Sequence, residues 1–137
     1  MTKSKSISGR CLCGGIRYEI AGAITGAGHC HCAMCRQQSG AAFMTAGFVT
    51  PGEFHWTEGE NLIARYESSP GAFRIFCKVC GSNLGATEEG RVTLIFLGTV
   101  SGDPGVRPAE HIFVASKAPW HEITDDLPQY DEFPPSE

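Results

Sequence analysis

Residues 28–40 read GHCHCAMCRQQSG, with three cysteines and two histidines between positions 29 and 35. Thiols crowded this way in a short segment point to metal binding or chemistry rather than to packing. Four more cysteines stand as two pairs, Cys11-x-Cys13 and Cys77-x-x-Cys80. Zinc favours thiolate sulfur in tetrahedral sites. A C-x-x-C turn can aim two sulfurs at one ion, and Gly81 just beyond lets the backbone turn tightly beneath them. In a C-x-C pair the side chains share one face of an extended segment, and Gly14 and Gly15 then let the chain fold away. The seven cysteines divide as four plus three. Our assignment puts Cys11, Cys13, Cys77 and Cys80 on a closed structural zinc, and Cys30, Cys32 and Cys35 on an open one whose vacant position suits catalysis. Spacing alone leaves another partition standing, in which Cys32 and Cys35 join Cys77 and Cys80.

The whole chain has 137 residues, 42% hydrophobic and 19% charged, with a net charge of −4. One domain is expected over 1–137, with its core in 7–125 and an extended tail in 126–137 held by Tyr130 and Phe133. No run of Lys and Arg marks a nucleic-acid or anionic-membrane surface. The start, MTKSKSISGR, reads as neither signal peptide nor anchor, so a cytoplasmic location is expected. Thiols stay reduced there, which argues against disulfides, as does their odd number. Iron–sulfur ligation is the competing metal reading, but the spacings match neither common ferredoxin run.

The segments GIRYEI, FMTAGFV, EFHW, LIARYE, AFRIF, RVTLIFLG and HIFVAS are short, rich in β-branched and aromatic residues, and bounded by Gly, Pro or Ser. They read as strands, giving an all-β fold of short antiparallel sheets with little helix. One helical turn is expected over Cys35–Ser39, ended by Gly40. Trp56, Trp120, Phe43, Phe48, Phe73 and Phe96 are expected in the core.

Through GRCLCGGIRYEI, HCHCAMCRQQSG, FCKVCGSNLG and HIFVASKAPW the sequence resembles the glutathione-dependent formaldehyde-activating enzyme family, which includes the centromere protein V group. The resemblance spans nearly the whole chain. It implies an Mss4-like all-β fold and two zinc ions per chain. It places the closed zinc on Cys11, Cys13, Cys77 and Cys80 and the catalytic zinc on Cys30, Cys32 and Cys35. The activity it implies is that of a carbon–sulfur lyase: a small thiol such as glutathione and an aldehyde, formaldehyde, give S-hydroxymethylglutathione.

Three thiolates leave a zinc site at a formal charge of −1, so nearby N–H groups or cations must offset it. Arg36 is the nearest cation in sequence. Arg17, Arg65, Arg74 and Lys117 are candidate partners for substrate carboxylates, with surface placement as the simpler reading. His29 and His31 alternate with the cysteines and are expected to point away from the metal, although either is a candidate fourth ligand or proton carrier. His55, His111 and His121 carry no motif. The rival to an enzyme is a binding module in which two zincs only organise loops. A pure scaffold, however, has no reason to leave a zinc open. A chromatin role is disfavoured by the acidic balance and the missing basic tail.

Overall fold

The computed structural model describes residues 6–135. In chain order its elements are β1 (Ile7–Arg10), β2 (Arg17–Ile20), β3 (Gly26–Cys30), α1 (Ala33–Ser39), β4 (Met44–Phe48) and β5 (Phe54–Glu58). There follow β6 (Ile63–Ser69), β7 (Ala72–Cys77), β8 (Asn83–Glu88), β9 (Arg91–Phe96), β10 (Val100–Ser101) and β11 (His111–Ile112). They form a four-stranded sheet, β10-β1-β2-β5, and a seven-stranded sheet, β11-β3-β4-β9-β8-β7-β6. The pairing is antiparallel except between β11 and β3. Mainly β architecture is therefore what the chain adopts.

Alternation sets the faces. In β2, Tyr18 and Ile20 are buried while Arg17 and Glu19 are exposed, the period-two signature of a half-buried strand. The main core lies between the sheets. Ile16, Tyr18, Ile20 and Phe54 come from the small sheet and its approach; Ile75, Leu84, Val92 and Ile95 come from the large one. Each such side chain contributes about 1.5–3 kcal/mol of burial. Tyr18 stacks on Phe54 at 5.1 Å and hydrogen-bonds the Thr99 hydroxyl at 2.7 Å, so its phenol is buried and satisfied.

Strand β9 serves both faces of the large sheet. Ile95 enters the main core, whereas Leu94 and Phe96 join Met44, Ala46 and Cys35 in a second cluster. That cluster gives α1 and the cysteines around it a dry floor.

Four strands went unread in the sequence: β1, β3, β8 and β10. Segments such as GAGHC and NLGATE contain little that is β-branched or aromatic. Gly85 in β8 has a packing reason, since a Cβ there would meet the Leu94 carbonyl oxygen at 2.2 Å. The expected strand HIFVAS is a strand only at His111 and Ile112; Phe113 adopts φ 56° and Val114–Ser116 form a 3-10 turn. The helix begins two residues earlier than expected, and Gly40 ends it at φ 69°, donating its N–H to the Arg36 carbonyl at 2.8 Å. Two aromatics expected in the core are outside it: Phe48 is 54% exposed and Trp120 is 70% exposed. Phe48 ends β4 and Trp120 lies on a turn beyond the 3-10 turn, where no alternation dictates a buried face.

The C-terminal segment lies alongside β11. The His111 N–H donates to the Pro128 carbonyl at 2.8 Å and the Tyr130 N–H to the His111 carbonyl at 2.9 Å. Phe133 meets Phe113 edge-on at 4.9 Å. The last two positions of the expected tail, Ser136 and Glu137, are outside the described residues. Among the described residues no helix is long and apolar enough to cross a membrane.

Candidate metal centres

The two cysteine pairs meet at one end of the molecule. Cys11 and Cys13 lie on the turn after β1; Cys77 ends β7 and Cys80 lies on the turn after it. All four sulfurs lie within 4.8 Å of one another. Cys11 Sγ is 3.6 Å from Cys13 Sγ, and Cys13 Sγ is 3.9 Å from Cys77 Sγ. Four sulfurs placed tetrahedrally about 2.3 Å from one zinc would be about 3.8 Å apart, so the donor set fits that ion.

Backbone amides converge on these sulfurs. Ile16 N–H points at Cys11 Sγ (3.3 Å), Gly15 N–H at Cys13 Sγ (3.4 Å), Val79 N–H at Cys77 Sγ (3.4 Å) and Cys13 N–H at Cys80 Sγ (3.4 Å). Such donors favour thiolate. The Cys80 thiol is brought down to about 5, chiefly by the Ser82 hydroxyl and then by the Cys13 and Ser82 amides. Gly14 (φ 77°) and Gly81 (φ 79°) supply the left-handed turns that fold the chain back under the sulfurs.

The second group comprises Cys30 at the end of β3, Cys32 as the cap of α1 and Cys35 within its first turn. Their sulfurs also lie within 4.8 Å of one another, and among the described residues no fourth Cys, His, Asp or Glu donor joins them. The Cys35 N–H donates to Cys32 Sγ at 3.3 Å, as in an ordinary helix cap with sulfur in place of oxygen. Cys32 is the first of the three to lose its proton. Hydrogen bonds from the Cys30 and Cys35 thiols favour its thiolate, and the Cys35 amide and the Arg74 charge add to the effect.

The cation that reaches this group is Arg74, not Arg36. Both terminal nitrogens of Arg74, in β7, lie 3.7 Å from Cys35 Sγ. Arg74 also donates to Gln38 Oε1 at 2.6 Å, and Gln38 Nε2 donates to Asn83 Oδ1 at 3.0 Å. Sequence adjacency pointed to Arg36, but α1 turns that side chain elsewhere and leaves its Nε buried without a partner. Arg17 is at the surface, paired with Glu58 at 3.4 Å, and Arg65 is exposed. Lys117 donates to the His121 and Ala118 carbonyls.

His29 in β3 and His31 just beyond it alternate with Cys30 and Cys32 and lie among residues the sequence did not connect. His31 is fully buried, and its Nε2 is 2.8 Å from His111 Nδ1. His111 Nε2 lies 3.0 Å from an Asp125 carboxylate oxygen. With Nε2–H directed at the carboxylate, His111 Nδ1 accepts from His31. Burial first, and then the neighbouring His111, hold His31 down to about 4, so its ring is neutral. His29 bonds the Thr45 hydroxyl at 2.8 Å, and Phe43 packs edge-on against it at 4.7 Å. The parallel β11–β3 pairing places His111 opposite His29, and no local motif announces that register.

The chain is thus a mainly β protein with one group of four converging thiols and another of three, each of which could hold a metal ion. A model of the family "Glutathione-dependent formaldehyde-activating enzyme" matches residues 6–116, and the chain belongs to that family. An uncharacterized lyase of Schizosaccharomyces pombe is 37% identical over 76 residues, covering 56% of this chain and 53% of that protein. The matched stretch thus spans about half of that relative's length. In fold, the chain is similar to a crystal structure of a Rhodobacter sphaeroides protein, with a TM-score of 0.56 and 19% identity over 70% of this chain and 89% of that one.

Proposed function

We propose that the protein is a zinc-dependent carbon–sulfur lyase acting on a thiol adduct, with glutathione, formaldehyde and S-hydroxymethylglutathione as the candidate reactants and product. The observation that carries this reading is the group of Cys30, Cys32 and Cys35, which offers three sulfurs and, among the described residues, no fourth donor. The family membership and the lyase name of the fission-yeast relative support it.

Cys11, Cys13, Cys77 and Cys80 would hold one zinc and close its coordination; Cys30, Cys32 and Cys35 would hold a second. A zinc at the three-thiol group supplies positive charge that favours a substrate thiolate and polarises a carbonyl oxygen. The rest falls to the chain. Arg74 offsets the negative charge of three thiolates through its two contacts to Cys35 Sγ. Gln38, itself held by Asn83, fixes that guanidinium in place. Leu94, Phe96 and Met44 exclude water from beneath the sulfurs. In the forward direction a C–S bond forms between the thiol sulfur and the aldehyde carbon, and the thiol proton ends on the former carbonyl oxygen. In reverse the same bond breaks.

Adduct formation also proceeds unaided, so exchange is the test. Magnetisation-transfer NMR on glutathione and formaldehyde should show interconversion accelerated by the zinc-loaded protein. Cys32→Ser should remove the acceleration while leaving a folded chain. Equal exchange with wild type, variant and no protein would refute a catalytic role and leave the two centres as scaffolding.

A further inference from the structure

A cleft of about 490 Å³ opens between α1 and the sheet face formed by β6, β7 and β8. Such a volume suits a small molecule. Gln37 and Gln38 line it from the helix; Tyr66, Ser68, Arg74 and Asn83 line it from the sheet. Arg74 belongs to both places, since it lines the cleft and reaches Cys35 Sγ. The cleft therefore neighbours the three-thiol group, with Arg74 between them.

Its chemistry is one-sided. Arg74 is the sole ionisable cation of the lining, and no lining residue is acidic. Gln38 and Asn83 are committed to each other, and Gln38 also to Arg74. Gln37, Tyr66 and Ser68 keep an amide and two hydroxyls for a ligand. Met34 and Phe76 add an apolar strip suited to methylene groups. We infer that this cleft holds the non-reacting end of the substrate thiol, and that it selects thiols whose tail carries a carboxylate over those whose tail carries an ammonium group. The inference rests on the reading above, in which the thiol sulfur sits at Cys30, Cys32 and Cys35. An ammonium group would be desolvated beside Arg74 with no acid to meet it, whereas a carboxylate gains the neutral donors of Gln37, Tyr66 and Ser68 and whatever attraction remains from an Arg74 already bonded to Cys35 and Gln38.

Calorimetric titration of the zinc-loaded full chain with 3-mercaptopropionate, 2-mercaptoethanol and cysteamine tests this. The three thiols differ in intrinsic acidity, so the decisive quantity is the change between variants. Gln37 is exposed on α1, so substitution there should leave the fold intact. Gln37→Glu should weaken 3-mercaptopropionate and strengthen cysteamine, each by about threefold to tenfold, with 2-mercaptoethanol hardly affected. Gln37→Lys should do the reverse. Binding of all three thiols with no shift in either variant would overturn the cleft assignment while leaving a thiol site at the cysteines. If none of the three bound, the thiol-adduct reading would fail, and the cleft assignment with it.

Discussion

At Cys35, on α1, a single sulfur meets a guanidinium delivered from β7, across 39 positions of sequence. Arg74 is held there by Gln38, itself one turn along the helix from Cys35, so the charge and the thiol it serves are tied to one element. Arg74→Met keeps much of the aliphatic stem and removes the charge. It should weaken zinc binding at the three-thiol group by about 10- to 100-fold, the usual effect of losing a residue that supports a ligand. Zinc at the four-thiol group should be unaffected. Competition with a chelator reads both affinities, and an unchanged weaker site would remove Arg74 from this role. The need for a compensating cation was legible from the count of thiolates. Its identity was not, because β7 and α1 approach each other only in the folded chain, and sequence adjacency favoured Arg36.

Among the elements, β11 has two residues yet joins three parts of the molecule. It pairs in parallel with β3, it receives the C-terminal segment, and through His111 it links Asp125 to the buried His31. Because His31 stands between Cys30 and Cys32, this polar chain braces the backbone that presents them. His111→Leu would leave His31 fully buried with neither ring nitrogen bonded, since its Nδ1 already lacks a partner. A cost of about 1–3 kcal/mol is expected for the abandoned group. The thermal midpoint should drop by several degrees, with release of the C-terminal segment visible as faster amide hydrogen exchange at Tyr130, whose N–H otherwise bonds the His111 carbonyl. An unchanged midpoint would show that the histidine chain is not a support. Strands with aromatic and β-branched alternation, such as β2, β7 and β9, could be read from sequence. Strands β3 and β8 could not, because their small residues answer to close neighbours, as Gly85 does to the Leu94 carbonyl.

On the scale of the whole molecule, the large sheet separates two kinds of chemistry. One face carries the three-thiol group, Arg74 and the cleft; the other packs against the small sheet and, toward β3 and β11, holds the histidine chain. The four-thiol group joins the turns after β1 and β7, one from each sheet, and so ties the layers together. Cysteine spacing marked all seven thiols as candidate metal ligands, but left their partition open until the fold brought Cys11, Cys13, Cys77 and Cys80 together and set Cys30, Cys32 and Cys35 apart. The cleft was not visible, since its residues, although several of them stand within the cysteine-rich stretches, are dispersed over α1, β6, β7 and β8 and meet only in the folded chain.

The central proposal, two zinc ions on four and three cysteine sulfurs, is tested most directly by elemental analysis combined with zinc-edge X-ray absorption on the reduced protein. Two zinc ions per chain are expected, with an average of about 3.5 sulfur neighbours each, as seven thiolates shared between two ions require. Adding 3-mercaptopropionate should raise that average toward about four as a substrate sulfur enters the open position. One zinc per chain, iron with inorganic sulfide, or an average already at four without added thiol would contradict the proposal.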